Sequence, residues 1–396
     1  MNRQILFIKS KKVSQEFPLV ELKKMDENSS VFFAEDKNEI FSIIDQNEID
    51  IVVCFLSFNE TEELNNLKEL KEKYPRIFIV AFSDEENRVT LQSGYRFAHQ
   101  LVHLPFTTEK LINSFSRKEK LSKYLHDGQL MGLLNGIDDL PTLPETYLEI
   151  EKEISSSTLS FHKISSIISH DLAFTAKVLH LVNSPFFGLR NKISDVLQAI
   201  NILGVNILKS LLLYDNASSK FIIGPQFVKY FEDLWLHSNK VGRFAEQIIY
   251  INANREIKMM EDAYIAGLFH DFGKLIMLAI SDYPDKVFSY MEENSTRYST
   301  AEYKLYGTSH SEVGAYFLTL WGFPDRTADA VFMHNNYNSV NFETFSVPNA
   351  LFIANLLAGD ENLNVEDLKK LNLGVHPKDW LQYLDDNGLL KVKKNN

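Results

Sequence analysis

Hydrophobic and polar positions follow two different patterns along this chain of 396 residues. Up to about residue 118, short apolar runs without polar alternation recur at even spacing, which is typical of strands buried on both faces. Segments with helical spacing lie between these runs, so the pattern predicts a doubly wound α/β domain with a parallel sheet. The predicted strands are residues 5–8, 31–34, 51–56, 77–82 and 100–103, and the predicted helices are residues 37–46, 61–73, 86–93 and 108–116.

From residue 145 onward, apolar positions recur at a spacing of three and four, which indicates amphipathic helices. One apolar stripe consists of Val196, Ala199, Ile200, Leu203, Ile207, Leu208 and Leu211. Similar stripes run through residues 161–183 and 233–250, so this part of the chain predicts an all-helical bundle. Pro141 and Pro144 oppose a continuous helix at the junction. We therefore expect an α/β domain over residues 1–118, a linker helix over 119–140 and a helical domain over 141–396.

Composition and charge narrow the function classes. The formal net charge of -12 argues against a nucleic-acid or anionic-membrane surface, because such binding needs clustered Lys and Arg. Cys54, the single cysteine, lies in an apolar run, which fits a buried strand in a reducing compartment. No apolar run reaches the length of a membrane span, and the apolar segment near Met1 is too short for a signal peptide. We therefore expect a cytoplasmic protein without membrane or nucleic-acid partners.

Candidate chemistry centres on residues 266–275, where the adjacent pair His270 and Asp271 is followed at once by Gly273 and Lys274. A histidine beside an aspartate offers one nitrogen and one oxygen ligand for a metal ion. An ion pair at a helix end is the alternative interpretation, since the same dipeptide occurs at residues 126–127 and 170–171. Further histidines stand near the ends of apolar helices, and a bundle can bring these to one point. They are His237, His310 and His334.

The first domain resembles the receiver domain of response regulators over about residues 3–118, in the order of its strands and helices and in residues 50–55 and 104–106. That family uses an acidic pair after strand one to hold magnesium, an Asp at the end of strand three to accept the phosphoryl group, and a Lys before a Pro to contact it. Here these positions hold Lys9 with Ser10, Phe55 and Leu104. Without carboxylates for a hard cation, the resemblance implies a pseudo-receiver that is not phosphorylated in the usual way and serves as a docking or dimerisation surface.

The helical domain resembles the HDOD domains, which are output modules of bacterial signalling proteins related to HD-type phosphohydrolases. Three motifs in the family's order carry the resemblance, at residues 140–144, 169–188 and 198–204. Within the second motif, we interpret residues 183–185, Asn-Ser-Pro, as a structural turn that ends a helix. The resemblance implies an all-helical, HD-like bundle.

The HD phosphohydrolases also imply a ligand set when their motifs are matched to this chain. The matched metal ligands are His237, His270, Asp271, His310 and His334, and Lys274 keeps the position from which the family's Lys reaches a phosphate. Asn335 stands where the cyclic-dinucleotide phosphodiesterase branch has a second consecutive His, and Asn355, the sixth candidate metal ligand, stands where it has a late Asp. With Asp271 as the only anionic ligand, a two-metal site is disfavoured, while one Zn, Fe, Mn or Ni ion can still be held. A metal-free relic stays open as the alternative.

Two hypotheses of function follow. In the first, the chain is a signalling regulator whose receiver-like domain is coupled to an HDOD-type output domain that binds other signalling proteins or a nucleotide-like ligand, with a homodimer through the receiver-like domain. In the second, the chain is a metal-dependent phosphohydrolase acting on a phosphodiester such as a cyclic dinucleotide, with Lys274 binding phosphate. The other seven histidines are interpreted as structural or surface groups, namely His99, His103, His126, His162, His170, His180 and His376.

Overall fold

The structure of the protein is a computed structural model, which contains five strands and fifteen helices in the residues that it describes. The described residues are 3–8, 29–56, 61–74, 77–83, 98, 100–103, 115, 120–121, 130, 133–134, 143–156, 158–184, 189, 191–219, 221, 225–252, 256–280, 283–335 and 346–359. The chain divides into two compact units, Met1–Thr142 and Leu143–Asn396. We call them the sheet unit and the helical unit.

The sheet unit contains a parallel five-stranded sheet in the order β2-β1-β3-β4-β5. Its strands and helices are β1 (Gln4–Ile8), β2 (Ser30–Ala34), α1 (Lys37–Gln46), β3 (Ile51–Leu56), α2 (Thr61–Lys73), β4 (Phe78–Ser83) and β5 (Gln100–His103). This strand order is that of the flavodoxin-like doubly wound fold. The prediction of a parallel sheet is therefore confirmed, with the fourth strand beginning one residue later than predicted.

Apolar side chains on both faces explain why these strands pair as a buried sheet. Leu6 on β1, Val52 on β3 and Ile79 on β4 are fully buried in one cluster, and their chain neighbours point to the opposite face and are buried as well. The Asp36 side chain accepts a hydrogen bond from the backbone N–H of Glu39 and so caps α1. Burial on both faces, rather than an alternation of apolar and polar residues, therefore characterises these strands.

Several predictions of the receiver resemblance lie outside the described residues. These are the helix at 86–93, the helix at 108–116 apart from the helical residue 115, Lys9, Ser10 and the 104–106 segment, and His99, His126 and His376 lie outside the described residues as well. Within the predicted linker, positions 120, 121, 130, 133 and 134 are helical, and the others are not described. The boundaries proposed for the linker stay a prediction.

The helical unit contains no strand among the residues that the structure describes after position 142, which confirms the predicted all-helical architecture. Its helices are α3 (Glu145–Ile154), α4 (Phe161–Ser169), α5 (Leu172–Val182), α6 (Val196–Leu203), α7 (Val205–Ser219), α8 (Pro225–Asn252), α9 (Ile257–Phe269), α10 (Phe272–Met277), α11 (Tyr283–Asn294), α12 (Tyr298–Tyr306), α13 (His310–Leu320), α14 (Asp325–Met333) and α15 (Val347–Gly359). The long helix α8 packs along α9 and α15, while α13 packs against α10 and α14.

Two apolar stripes that the sequence presents as continuous are each divided between two helices. The seven residues of the stripe from Val196 to Leu211 are all buried, but Gly204 ends α6 with a φ of 80°, and α7 leaves at 112° to it. That positive φ is a backbone conformation that favours glycine. The second stripe is divided by Asp171, whose side chain caps α5 by accepting from the N–H of Phe174 at 2.9 Å. The His170–Asp171 dipeptide thus provides the N-cap of a helix.

The turn after α5 is held by Asn183, as the structural interpretation requires. Its Nδ2 donates to the carbonyls of Leu179 at 2.7 Å and Ile193 at 2.8 Å, and its Oδ1 accepts from the N–H of Ile193 at 2.8 Å. All the polar atoms of this amide therefore bind backbone groups. Among the described residues, no single helix is both long and apolar enough to cross a membrane, although the bent pair α6 and α7 passes by length and composition together.

Candidate metal centre

Five side chains singled out in the sequence meet around one carboxylate. His237 lies within α8, His270 and Asp271 lie between α9 and α10, His310 begins α13 and His334 follows α14. Two groups of residues could each hold a metal ion, because the ligand atoms within each group lie within 4.8 Å of one another. The first group is His237, His270 and Asp271, and the second is Asp271, His310 and His334. The structure thus brings together five of the six candidate ligands, with Asp271 shared between the two groups.

Glycines allow the helices that carry these residues to approach closely. A Cβ on Gly267 would lie 2.4 Å from the Cα of Gly242, so α9 and α8 touch backbone to backbone. A Cβ on Gly273 would lie 2.0 Å from the carbonyl oxygen of His310, so α10 rests directly on the start of α13. These two contacts bring His237 and His310 to the loop that carries His270 and Asp271.

The two oxygens of Asp271 face different partners. Oδ2 lies 3.4 Å from Nε2 of His270 and 4.0 Å from Nε2 of His237. Oδ1 lies 3.3 Å from Nε2 of His310 and 3.7 Å from Nε2 of His334. Ligands of one tetrahedral zinc ion, each at about 2.0–2.1 Å from it, lie roughly 3.4 Å apart. The separations of His270 and His310 from Asp271 match this spacing, whereas those of His334 and His237 are longer.

Backbone and carboxylate groups fix the orientation of three imidazole rings. Nδ1 of His270 lies 2.7 Å from the carbonyl of Gly267, and Nδ1 of His334 lies 2.6 Å from the carbonyl of Val331. Nδ1 of His310 lies 2.6 Å from Oε2 of Glu302. Because a carbonyl only accepts, Nδ1 of His270 and of His334 carries a proton, which leaves Nε2 of each ring as the atom that can bind a metal ion. This is how metal-binding histidines are held in proteins.

The Nε2 atom of His270 is the clearest sign that the centre fits a metal ion. The His270 side chain is fully buried, and its Nε2 has no hydrogen-bond partner within the described structure. Buried polar atoms are nearly always satisfied by a protein group, a water or an ion. An ion held by the lone pair of this nitrogen together with Asp271 would supply the partner.

Charge and burial act differently on the groups of the centre. Burial lowers the pKa of His237 and of His334 to about 4 each. Burial alone would raise the pKa of the Asp271 carboxyl, but His270 and Lys274 outweigh burial and hold that pKa well below its usual value. Burial would likewise lower the pKa of His310, but the Glu302 carboxylate raises it. The centre therefore contains an ionised carboxylate beside neutral His237 and His334 near pH 7.

Lys274 and two tyrosines lie on the more open side of the centre. Nζ of Lys274 donates to Oδ2 of Asp271 at 2.7 Å and lies 4.9 Å from the ring centre of Tyr298. The side chains of His237 and Lys274 are 28% and 19% exposed, whereas His270, His310 and His334 are closed off. Tyr230 is half-buried, and burial raises its pKa, with further contributions from the nearby Tyr298 and Asp271. A ligand therefore has access beside His237 and Lys274.

Sequence reasoning missed Glu302, which supports His310 from α12. Its Oε2 accepts hydrogen bonds from both the backbone N–H of His310, at 3.1 Å, and Nδ1 of that ring. Its Oε1 accepts from the hydroxyl of Tyr283. The Glu302 side chain is fully buried. Nothing in the local sequence links this glutamate to a histidine eight residues later, because the contact depends on how α12 meets α13.

The two asparagines that replace expected ligands lie in different surroundings. Nδ2 of Asn335 is 2.8 Å from Nε2 of both His310 and His334. Asn355 is half-buried on α15, which packs against the helices α8, α9 and α14. The histidines predicted to be structural or surface groups are exposed where the structure describes their side chains, at His162, His170 and His180.

Comparison with known proteins agrees with the helical architecture. Residues 140–337 match the family model of the HDOD domain. A protein of Treponema pallidum (strain Nichols), described as uncharacterized, is 27% identical over 203 residues, which cover 50% of this chain and 38% of that protein. The match thus spans well under two thirds of the length of that relative.

Two solved structures resemble the chain. A protein from Shewanella amazonensis SB2B, provisionally named a phosphohydrolase, has a TM-score of 0.50 and 20% identity, covering 65% of this chain and 95% of its own. An HDOD domain protein of unknown function from Geobacter sulfurreducens has a TM-score of 0.49 and 22% identity, covering 69% of this chain and 95% of its own. At such identities the likeness of the first concerns the fold alone. Because the HDOD model matches half of the 396 residues, the chain belongs to the HDOD family.

Proposed function

We propose that the chain is a signalling regulator whose HDOD domain contains a resident divalent transition-metal ion. The observation that carries the proposal is the fully buried His270, whose Nδ1 is held by the Gly267 carbonyl and whose Nε2 faces Asp271 without a hydrogen-bond partner in the described structure. The Nδ1 atoms of His334 and His310 are held in a similar way by Val331 and Glu302. A pre-oriented, unpartnered imidazole nitrogen beside a carboxylate is suited to a metal ion and is hard to account for in a packed core.

The donor set decides which ions fit. His237, His270, His310 and His334 offer imidazole nitrogens, and Asp271 is the one carboxylate in the two donor groups. Glu302 adds no second anionic ligand, because both of its oxygens are engaged by His310 and Tyr283. Imidazole with one carboxylate suits Zn, Fe, Mn or Ni, and the single negative charge favours one ion over two.

The open side of the centre is suited to a ligand that contains phosphate. Lys274 lies at that side next to Asp271 and above the ring of Tyr298, so it can turn its ammonium to an anion that approaches the centre. A bound ion would polarise a phosphate oxygen and lower the pKa of its own water ligand. In this proposal, the ligand is a nucleotide-like regulator or a phosphorylated signalling partner.

In this proposal, the sheet unit acts as a binding surface and does not accept a phosphoryl group. Phe55 stands at the end of β3, where a receiver domain has its phosphoryl acceptor, and no Asp or Glu occurs from residue 51 to 58. We propose that this unit docks other signalling proteins or pairs with a second copy. Sedimentation of the full chain at several concentrations tests the pairing, and a strict monomer throughout would refute it.

The metal content of the native protein tests the main proposal. Full-length protein purified without chelator should contain about one transition-metal ion per chain by elemental analysis. His270→Ala should lose that ion, while His180→Ala, which removes an exposed histidine from α5, should keep it. Wild-type protein free of metal after purification in the presence of added Zn²⁺ or Mn²⁺ would refute the proposal.

Phosphodiester hydrolysis is a second candidate function, favoured by Lys274 at the open side of the centre. A single ion with an open position can supply activated water for such a reaction. Incubation with cyclic dinucleotides and Mn²⁺ separates the two candidates. Turnover above a buffer control that disappears in His270→Ala would favour hydrolysis, whereas saturable binding without turnover would favour the regulator.

A further inference from the structure

The amide of Asn335 lies between two of the predicted metal ligands. Its Nδ2 is 2.8 Å from Nε2 of His310, 2.8 Å from Nε2 of His334 and 3.0 Å from Oγ of Ser311. The two Nε2 atoms are themselves 3.4 Å apart. One nitrogen thus contacts both Nε2 atoms in this half of the centre.

The surrounding hydrogen bonds determine which end of the amide faces the histidines. The Val331 carbonyl takes the Nδ1 proton of His334, so Nε2 of that neutral ring is an acceptor. The NH₂ end of the Asn335 side chain can donate to this nitrogen, whereas its oxygen would face a lone pair. The amide therefore turns its NH₂ end to the histidine pair, with Nδ2 in contact with Nε2 of His310 as well.

We propose that Asn335 closes the His310–His334 pair to metal and confines a single ion to His237, His270 and Asp271. This inference rests on the proposed function, since it specifies where the resident ion is held. The lone pair of His334 that accepts this N–H hydrogen bond is not available to an ion, and the same amide nitrogen lies 2.8 Å from Nε2 of His310, so an ion shared by the two rings would have to displace it.

The other half of the centre consists of His237, His270 and Asp271, and no comparable amide contact is described there. Nε2 of His270 has no hydrogen-bond partner in the described structure, although the side chain is fully buried. His237 lies at the more open side, with 28% of its side chain exposed, so an ion can enter there. The two halves share Asp271 but differ in whether their imidazoles are already engaged. This difference makes Asn335 a residue that determines the number and position of metal ions.

Metal stoichiometry in four variants of the full chain tests the inference, with Zn²⁺ or Mn²⁺ itself as the probe. After removal of metal and titration with the ion, wild type should bind one equivalent, His270→Ala none and His334→Ala still one. Asn335→Ala should bind a second, weaker equivalent, because two imidazoles become free. Asn252→Ala is the matched control, since it removes a half-buried amide whose Nδ2 donates only to the Ile248 carbonyl at 2.7 Å, and it should match wild type.

The outcomes separate this inference from the proposed function. If His334→Ala loses the ion as His270→Ala does, or if Asn335→Ala binds less than wild type, then Asn335 is no barrier and the inference is wrong. If wild type binds no ion but Asn335→Ala gains one, the proposed resident metal is refuted while the closing role of Asn335 stands. If neither protein binds an ion, both are refuted. Far-ultraviolet circular dichroism shows that each variant is folded.

Discussion

The sheet unit and the helical unit bury different kinds of side chain. In the described part of the sheet unit, the fully buried strand residues are apolar, as at Leu6, Val52 and Ile79, and none of its polar or charged side chains is buried. The helical unit buries a cluster of ionisable groups that includes Asp271, Glu302 and His310. Both units have a well-packed core, but among the described residues the buried ionisable groups lie in the helical unit.

This difference indicates where the chemistry of the protein is concentrated. Burying a charged group is unfavourable unless it is paired and hydrogen-bonded, so a core without function tends to lack such groups. In the sheet unit, the framework of the doubly wound fold is retained while the acceptor position is Phe55. In the helical unit, a carboxylate, four imidazoles and their supporting groups are held together.

No tryptophan occurs before residue 143, so tryptophan fluorescence, which includes that of Trp235 and Trp321 in the helical unit, follows the unfolding of that unit. This separation allows the contrast between the units to be tested by denaturant titration. The largest expected effect comes from Glu302. Glu302→Ala should lower the unfolding free energy of the helical unit by about 3–5 kcal/mol, because His310 and Tyr283 lose a buried ionic partner.

Two further variants calibrate that result. Glu302→Gln keeps the shape of the side chain and should cost less than the alanine variant, since one hydrogen bond to His310 can persist. Glu293→Ala, on the exposed face of α11, should change the unfolding free energy by about 0.5 kcal/mol or less. Equal effects for Glu302→Ala and Glu293→Ala would mean that the buried network contributes nothing to stability.

A methyl group at Gly273 should disturb the helical unit next most strongly. Gly273→Ala places a Cβ 2.0 Å from the His310 carbonyl, so α10 and α13 must separate, at a cost of about 3 kcal/mol. Metal content should fall with it, because Asp271 and His310 move apart. Gly314→Ala is the control, because its nearest neighbour is the Val331 Cγ1 atom at 3.2 Å, a side-chain atom that can shift. Similar losses in both variants would contradict the close approach at Gly273.

Stability of the metal-free protein should also depend on pH. The pKa of His334 is about 4 in the folded chain against an ordinary 6.5, so below pH 6.5 the unfolded chain takes up a proton that the folded chain does not. This group therefore favours unfolding as the pH falls from 6.5 towards 4, by about 1 kcal/mol at pH 5.5. His237 acts in the same direction, and His310, whose pKa is raised, acts in the opposite one.

Removal of His334 isolates its share of the pH dependence. In chelator-treated protein, His334→Gln should lose about 1 kcal/mol less stability than wild type between pH 7.5 and 5.5, measured by tryptophan fluorescence in denaturant. Equal losses in the two proteins would show that His334 is not held neutral by burial.

The smallest effect is expected in the sheet unit. Phe55→Asp restores the residue type of a phosphoryl acceptor, but Lys9 and Ser10 still provide no carboxylates for magnesium. Treatment with a small phosphodonor and Mg²⁺ should therefore add no phosphoryl mass. Phe55→Asp combined with Lys9→Asp, Ser10→Asp and Leu104→Lys is the positive comparison. A phosphoryl adduct on Phe55→Asp alone would contradict the interpretation that this unit lacks the residues for phosphoryl transfer.

Much of the architecture could be predicted because its signals are local. Unbroken apolar runs at residues 5–8 and 51–56 predict buried parallel strands, and these strands pair as expected. Apolar spacing also identified the buried face from Val196 to Leu211, although it did not reveal the 112° bend at Gly204. Periodicity reports which face is buried, while the direction of the chain after a helix end depends on one backbone conformation.

Hydrophobic spacing and residue identity are properties of the chain, so they were enough to predict the two kinds of unit and the chemical types of the candidate ligands. The folded arrangement of the helices was needed to find that Glu302 holds His310, that Asn335 contacts two Nε2 atoms and that Nε2 of His270 has no hydrogen-bond partner in the described structure. Those contacts join helices distant in sequence, and they depend on ångström-scale approaches such as that of Gly273 to His310. No local pattern encodes such an approach, since it results from the packing of the whole bundle.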